Sequence, residues 1–222
     1  MIGTHSMAIE FFLGFCDGYT QNTNNFYLYF DPYYARYVFI PWDFDYTFGS
    51  GPFDMEALLV GDYEQFGRMS DLPLSSAILS IPKYRKRFEE ILDIMAVKIM
   101  DPAVSFPVVD SVYELIKEDV EWDHSLARVR SGPSWIGGAL QSFIEGKVDE
   151  SSIFPYCTSV GGAADFLMRV NSRIDFHNAV HDAPDHASLL GIKEFFERKV
   201  ANFYKKSHYK PQFLESALHG QK

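Results

Sequence analysis

A chain of 222 residues with 47% apolar and 16% aromatic residues can bury a sizeable core, which excludes a disordered chain and fits one domain or a large lobe of one. Its formal charge of −10 and pI of about 5.1 exclude a non-specific nucleic-acid binder, which would need a basic face. With Cys16 and Cys157 the only cysteines, at most one disulfide can form and no zinc spacing exists, and no apolar run approaches the roughly 18–20 residues of a membrane span.

The first expected element is a short helix capped by Ser6, with Ala8, Phe11, Phe12 and Phe15 on its apolar side and its end by Gly18. This stretch carries Glu10 and lacks both a basic leader and a small-residue cleavage site, so no secretion signal is visible in it. A polar loop over residues 17–25 has no hydrophobic period. Two β-rich runs follow, residues 26–30 and 37–40, with Asp31-Pro32 supplying turn chemistry between them, which predicts a hairpin. Both runs are apolar or aromatic at successive positions, the pattern of strands buried on two sides. Pro41 ends the second strand. Trp42-Asp43-Phe44-Asp45-Tyr46-Thr47-Phe48-Gly49 and a Gly-rich stretch to Gly51 come next.

Residues 54–70 read as loop, and the chain then turns helical. Ser70 or Asp71 is a candidate cap for a helix over Pro73–Leu79. Pro82 opens another, with Tyr84, Phe88, Ile91, Met95 and Ile99 at helical spacing. Pro102 and Pro107 mark a break before a helix carrying Val112, Leu115, Ile116 and Val120. A short helix is expected near residues 139–144, then two longer ones over residues 162–180 and 186–204, and a polar tail at 205–222. The basic run Lys83, Lys86 and Arg87 is read as a solvated face.

Charge is unevenly spread. Residues 1–60 contain seven acids (Glu10, Asp17, Asp31, Asp43, Asp45, Asp54, Glu56) against Arg36 alone, a net of −6. Carboxylates without basic partners are either a solvated acidic surface or the donor set of a hard cation such as Mg²⁺ or Mn²⁺. The hairpin is expected to bring Asp17, Asn25, Asp43 and Asp45 to one end, because it returns the chain to near its start. That order suits phosphoryl transfer: one carboxylate takes the proton of the attacking hydroxyl, and an amide oxygen with a second carboxylate holds the metal against the phosphates.

The run Asp17-Gly18-Tyr19, then Asn24-Asn25-Phe26-Tyr27-Leu28-Tyr29, then Ile40-Pro41-Trp42-Asp43-Phe44-Asp45-Tyr46-Thr47-Phe48-Gly49 resembles the CotH kinase family, of bacterial spore coats and mucoralean fungal surfaces. The match covers residues 7–51. The resemblance implies an α+β fold like the large lobe of an atypical protein kinase, a β-hairpin with acidic loops packed on a mostly helical lobe. It implies ATP and Mg²⁺ or Mn²⁺ as cofactors and phosphorylation of protein Ser or Thr. Asp17 would be the catalytic base, Asn25 a metal and nucleotide ligand with Asn24 as the neighbouring alternative, and Asp43 and Asp45 metal ligands that the sequence does not separate. The implied partners are coat or surface proteins as substrates, or a host-cell receptor, at a spore coat, a cell surface or outside the cell.

The step from Asp17 to Asn25 is eight residues, against five in ordinary protein kinases. Sixteen residues precede Asp17 and no Lys occurs before Lys83, so the small lobe with its phosphate-binding Lys is expected to be missing. The chain is accordingly read as a single partial kinase-like domain: residues 1–51 carry the motif, 52–204 the helical lobe and 205–222 the tail. The competing function is a non-catalytic coat or adhesion protein. A glycosyltransferase Asp-x-Asp is the third reading, disfavoured because no βαβ unit precedes the motif. Trp42 and Tyr46 read as packing residues. The seven His form no ligand set, no Gly-x-Ser-x-Gly elbow occurs, and Gly49-Ser50-Gly51 has no following Lys and so is not a Walker loop.

Overall fold

A computed structural model describes residues 2–127, 145, 160–169 and 172–206. The helix expected near residues 139–144, Cys157 and the tail beyond residue 206 lie outside the described residues. Helix α1 (Ile2–Leu13) leads to a one-turn helix α2 (Tyr19–Asn22), and strands β1 (Phe26–Asp31) and β2 (Arg36–Pro41) follow. The chain continues through α3 (Met55–Leu58), a 3₁₀ turn (Tyr63–Gln65), α4 (Pro73–Leu79), α5 (Pro82–Met95), a π-helical turn (Ala96–Met100) and α6 (Pro102–Ser125). Helices α7 (Val160–Arg169), α8 (Phe176–His181) and α9 (Ile192–Lys206) complete the described part, an α+β arrangement dominated by helices.

Helix α1 is the axis of the core. Met7, Ala8, Phe11 and Phe12 are fully buried, and rings from other segments close on them. Phe11 meets Phe66 edge-on at 5.5 Å, and Phe12 meets Phe203 of α9 at 5.1 Å. Helix α5 packs its Phe88, Ile91, Leu92 and Met95 stripe on the same cluster. The apolar spacing from Pro82 onward thus forms the expected helix, although Ile99 sits in the π-turn and is exposed.

Lys199 is a fully buried cation within this core. Its Nζ donates to the carbonyls of Leu58 (2.8 Å) and Val60 (3.0 Å), at and just past the end of α3, and it lies 3.9 Å over the Phe11 ring. Burial holds its pKa well below the ordinary lysine range.

Several expectations are corrected. Ser6 is buried inside α1, which already begins at Ile2, so it is no cap. Residues 54–70 include α3 and the 3₁₀ turn, capped by the side chains of Asp54 and Asp62, which accept from Glu56 N and Glu64 N. Leu72 rather than Ser70 or Asp71 precedes α4, and Pro73 at the first turn starts it without a side-chain cap. Pro107 does not precede a helix but lies within α6, which starts at Pro102 under an Asp101 cap. Helix α6 packs through Ser105, Phe106 and Val109, leaving Val112, Leu115 and Ile116 exposed. The single helix expected over residues 162–180 is two: α7 ends at Arg169, and Asp175 caps α8 through Asn178 N at 2.8 Å. The helix expected from residue 186 starts at Ile192, because residues 186–190 form a strap built on a tight turn, in which His186 pairs with Leu189 and Leu189 bridges Ser50.

The hairpin itself is as expected, antiparallel with Phe26 opposite Pro41 and Asp31 opposite Arg36. Its burial is not. Tyr27 (58%), Tyr29 (55%) and Tyr37 (69%) are exposed, and only the root is packed, where Phe26 stacks on Phe39 at 5.2 Å and both rings meet Tyr19 edge-on. Among the described residues no third strand pairs with the ribbon, so side chains patterned for burial on two faces pair across it instead, as Phe30 does with Tyr37.

Candidate functional site

The hairpin root converts two loops distant in sequence into neighbours. Trp42 N donates to Asn25 O at 3.0 Å, continuing the ladder by one rung past the named strands. This rung sets the residue before β1 beside the residue after β2. Asn25 (φ 52°) and Asp43 (φ 59°) are both in the left-handed region, where Asn and Asp are the most tolerated side chains after Gly. A left-handed residue at each strand end turns the chain sharply, which ends the ribbon at that level.

Asp17 is the hub of the first loop. Asn25 Nδ2 donates to its Oδ2 at 2.8 Å, Asn22 Nδ2 to its Oδ1 at 3.3 Å, and Asn24 Nδ2 to its two oxygens at 3.3 and 3.4 Å. Three amides thus converge on one half-buried carboxylate. Each donates through its nitrogen, so each carbonyl oxygen is left available as an acceptor. Asn22 Oδ1 is buried without a hydrogen-bond partner. An orphaned acceptor beside a carboxylate is matched by a donor or a hard cation.

The second loop adds Asp43 and Asp45, both exposed. The carboxyl of Asp45 is raised above its ordinary range, first by partial desolvation, then by the negative charge of Asp43, with Asp17 adding to it. The negative charges of Asp43 and Asp17 thus both act on the Asp45 carboxyl. Tyr46 is pushed up by burial and by the same three carboxylates, and it packs against Phe53 and Phe166, the packing role expected of it. Trp42 leans on Tyr27 at 5.7 Å.

Among the described residues no three His, Cys, Asp or Glu side chains converge into a ready-made metal cage. The donors present are instead spread carboxylates and amide oxygens. That set fits Mg²⁺ or Mn²⁺ held by one or two carboxylates with phosphate oxygens and water completing the shell. The fit rests on the chemistry of this donor set, carboxylate and amide oxygens with no nitrogen or sulfur ligand among them.

The loop is braced from beneath by Glu10, which the sequence showed only as a charge interrupting an apolar helix. Its Oε2 accepts from Thr20 N (2.8 Å) and Thr20 Oγ1 (2.7 Å), tying α1 to α2, while Oε1 has no partner. Burial raises its pKa to about 7 against the lowering effect of the Thr20 bonds. A Cβ on Gly18 would sit 2.9 Å from the same carboxylate and 2.6 Å from the Phe15 ring, so a larger residue there would have to displace one or both side chains.

Two further residues escaped sequence reasoning. Asn22 lies three positions before the expected amide ligand Asn25, and nothing in its spacing distinguishes it. Arg169, in α7, donates to Ser50 Oγ at 3.2 Å, just past the acidic turn. Among the described residues His181 Nε2 pairs with Asp110 at 2.9 Å and His186 Nδ1 with Asp165 at 2.9 Å.

Comparison with known proteins gives three findings. The family model described as CotH kinase protein matches residues 6–135. Spore coat protein homolog 1 of Rhizopus delemar is 28% identical over 195 residues, covering 85% of this chain and 31% of that protein. No solved structure matches.

Proposed function

The chain belongs to the CotH kinase protein family, and on that premise we propose that residues 17–45 form the metal- and nucleotide-binding centre of an atypical kinase, which transfers the γ-phosphoryl group of ATP to a protein Ser or Thr hydroxyl. The observation that supports this reading best is the 2.8 Å bond from Asn25 to Asp17 at the root of a hairpin whose other strand delivers Asp43. Asp17 orients the acceptor hydroxyl and takes its proton. The amides of Asn22, Asn24 and Asn25 hold its carboxylate in place. Asn25, Asp43 and Asp45 would hold the cation through oxygen, with Asn24 beside them. Bound Mg²⁺ or Mn²⁺ supplies charge neutralisation for the phosphates.

The lobe that covers the phosphates in kinases has no counterpart among the described residues. The chain covers 31% of its Rhizopus relative, and the acceptor protein is a matter for the full-length polypeptide. The reading is tested by thermal unfolding with ATP and Mn²⁺ followed by a phosphate-transfer assay. A ligand at about one hundred times its Kd stabilises the native state by about 2.7 kcal/mol, so the midpoint rises for the wild type and not for Asp43→Ala. An unmoved wild-type midpoint at millimolar nucleotide removes the kinase reading.

A second reading is favoured by the hairpin. Its exposed aromatic side chains suit a coat or surface component that binds partners without catalysis, and the matched relative carries the name of a spore coat protein homolog. Coat or surface placement is common to both readings. No helix among the described residues is long and apolar enough to cross a membrane.

A further inference from the structure

The family match ends at residue 135, yet the turn after Asp43-Phe44-Asp45 is fastened by residues well beyond it. The strap at 186–190 runs along that turn. Leu190 N donates to Gly49 O at 2.8 Å, Gly51 N donates to Ser188 O at 3.1 Å, and Ser50 bridges Leu189. Arg169 ties the two together. Its Nε donates to Ser188 Oγ (2.5 Å), and its Nη2 donates to Ser188 O (2.8 Å) and Ser50 Oγ (3.2 Å).

Asp165, one helical turn earlier on the same helix, holds the same residue of the strap, Ser188. Its Oδ2 accepts from Ser188 N (2.9 Å) and Ser188 Oγ (2.5 Å). The Arg169 guanidinium lies 5.0 Å over Phe166, whose ring meets Tyr46 at 5.8 Å, and its charge opposes that of Asp45, Asp17 and Asp43 at the Tyr46 hydroxyl. Ser188 is fully buried, so these bonds are shielded from water.

We infer that Arg169 is a positioning residue for the acidic site: it clamps the turn at residues 49–51 to the 186–190 strap, and so fixes the loop that presents Asp43 and Asp45. The inference rests on the cation-site reading above for its functional consequence, but not for the clamp itself. A Lys retains the charge but not the planar fork that reaches Ser188 and Ser50 together.

The test compares wild type, Arg169→Met, Arg169→Lys and the milder Ser50→Ala. Amide hydrogen exchange is measured without ligand, and Mn²⁺ affinity by electron paramagnetic resonance. In both Arg169 variants Gly51 and Leu190 should exchange at least about tenfold faster while α1 and α5 keep their protection. Mn²⁺ affinity should fall about tenfold in Arg169→Lys, which keeps the positive charge beside the acids, as for other residues that orient a metal ligand without touching the ion. Ser50→Ala should show a smaller change confined to the same amides. Unchanged protection at Gly51 and Leu190, full rescue by Lys, or a uniform loss of protection through α1 and α5 would each overturn the clamp. If the wild type binds no Mn²⁺, the cation site falls and the exchange data still decide the clamp. Intact Mn²⁺ affinity with unchanged exchange rejects the clamp and spares the site.

Discussion

Replacing Glu10 with glutamine should flatten the pH dependence of stability between pH 5 and 8. The Glu10 carboxyl is buried, has one oxygen without a partner, and is raised from 4.5 to about 7. A group whose folded pKa is raised binds its proton more tightly in the native state. The stability it contributes is complete below 4.5 and is lost as the pH rises through about 7. A displacement of this size corresponds to about 3 kcal/mol, at about 1.4 kcal/mol per pKa unit. Most of that change falls between pH 5 and 8, leaving about 2–3 kcal/mol to be observed. A glutamine side chain cannot titrate, so the difference in unfolding free energy between wild type and Glu10→Gln should shift by that amount, with the wild type losing ground as pH rises. Urea unfolding at fixed ionic strength measures it, and taking the difference cancels other titrating groups such as Asp93, which burial and the charge of Glu89 raise to about 6. Parallel pH profiles for the two proteins would refute the reasoning.

Lys199 is depressed by burial, so stability should rise with pH from its folded pKa towards the unfolded lysine value; Lys199→Met should abolish that rise in chemical denaturation. Asn25→Ala should cost about 2 kcal/mol, losing the bond to Asp17 and placing Ala at φ 52°, whereas Asn25→Gly should recover about 1 kcal/mol of that, as urea midpoints would report. A Cβ at Gly61 would lie 1.9 Å from Asn202 O, so Gly61→Ala should displace α9 and lower the thermal midpoint sharply. Asp17→Ala should leave far-ultraviolet circular dichroism nearly unchanged while removing phosphate transfer by a full-length active form.

The sequence foretells the elements better than their surroundings. Runs of aromatic and β-branched residues mark both strands, because strand formation is local, and Asp31-Pro32 locates the turn. Whether those faces are covered depends on what packs on them, which the run itself does not encode; hence Tyr27 and Tyr37 are exposed rather than buried. Pro107 misleads because a proline reads as a break, while α6 absorbs it in its second turn. At the site, residue types and order point to Asp17, Asn25, Asp43 and Asp45 as neighbours, since a hairpin turns sequence order into distance. Asn22, Glu10 and Arg169 are illegible in the same reading. Their contributions come from burial and from a helix more than a hundred residues away, and no spacing rule reports either.

The most direct test of the account is a Mn²⁺ titration followed by nuclear magnetic resonance. One shared ion between the loops predicts that the side-chain amides of Asn22, Asn24 and Asn25 and the backbone amides of residues 43–46 broaden together at substoichiometric Mn²⁺. Broadening of one loop without the other, or diffuse broadening that also takes in the acids Glu114 and Glu118 of α6, would contradict it.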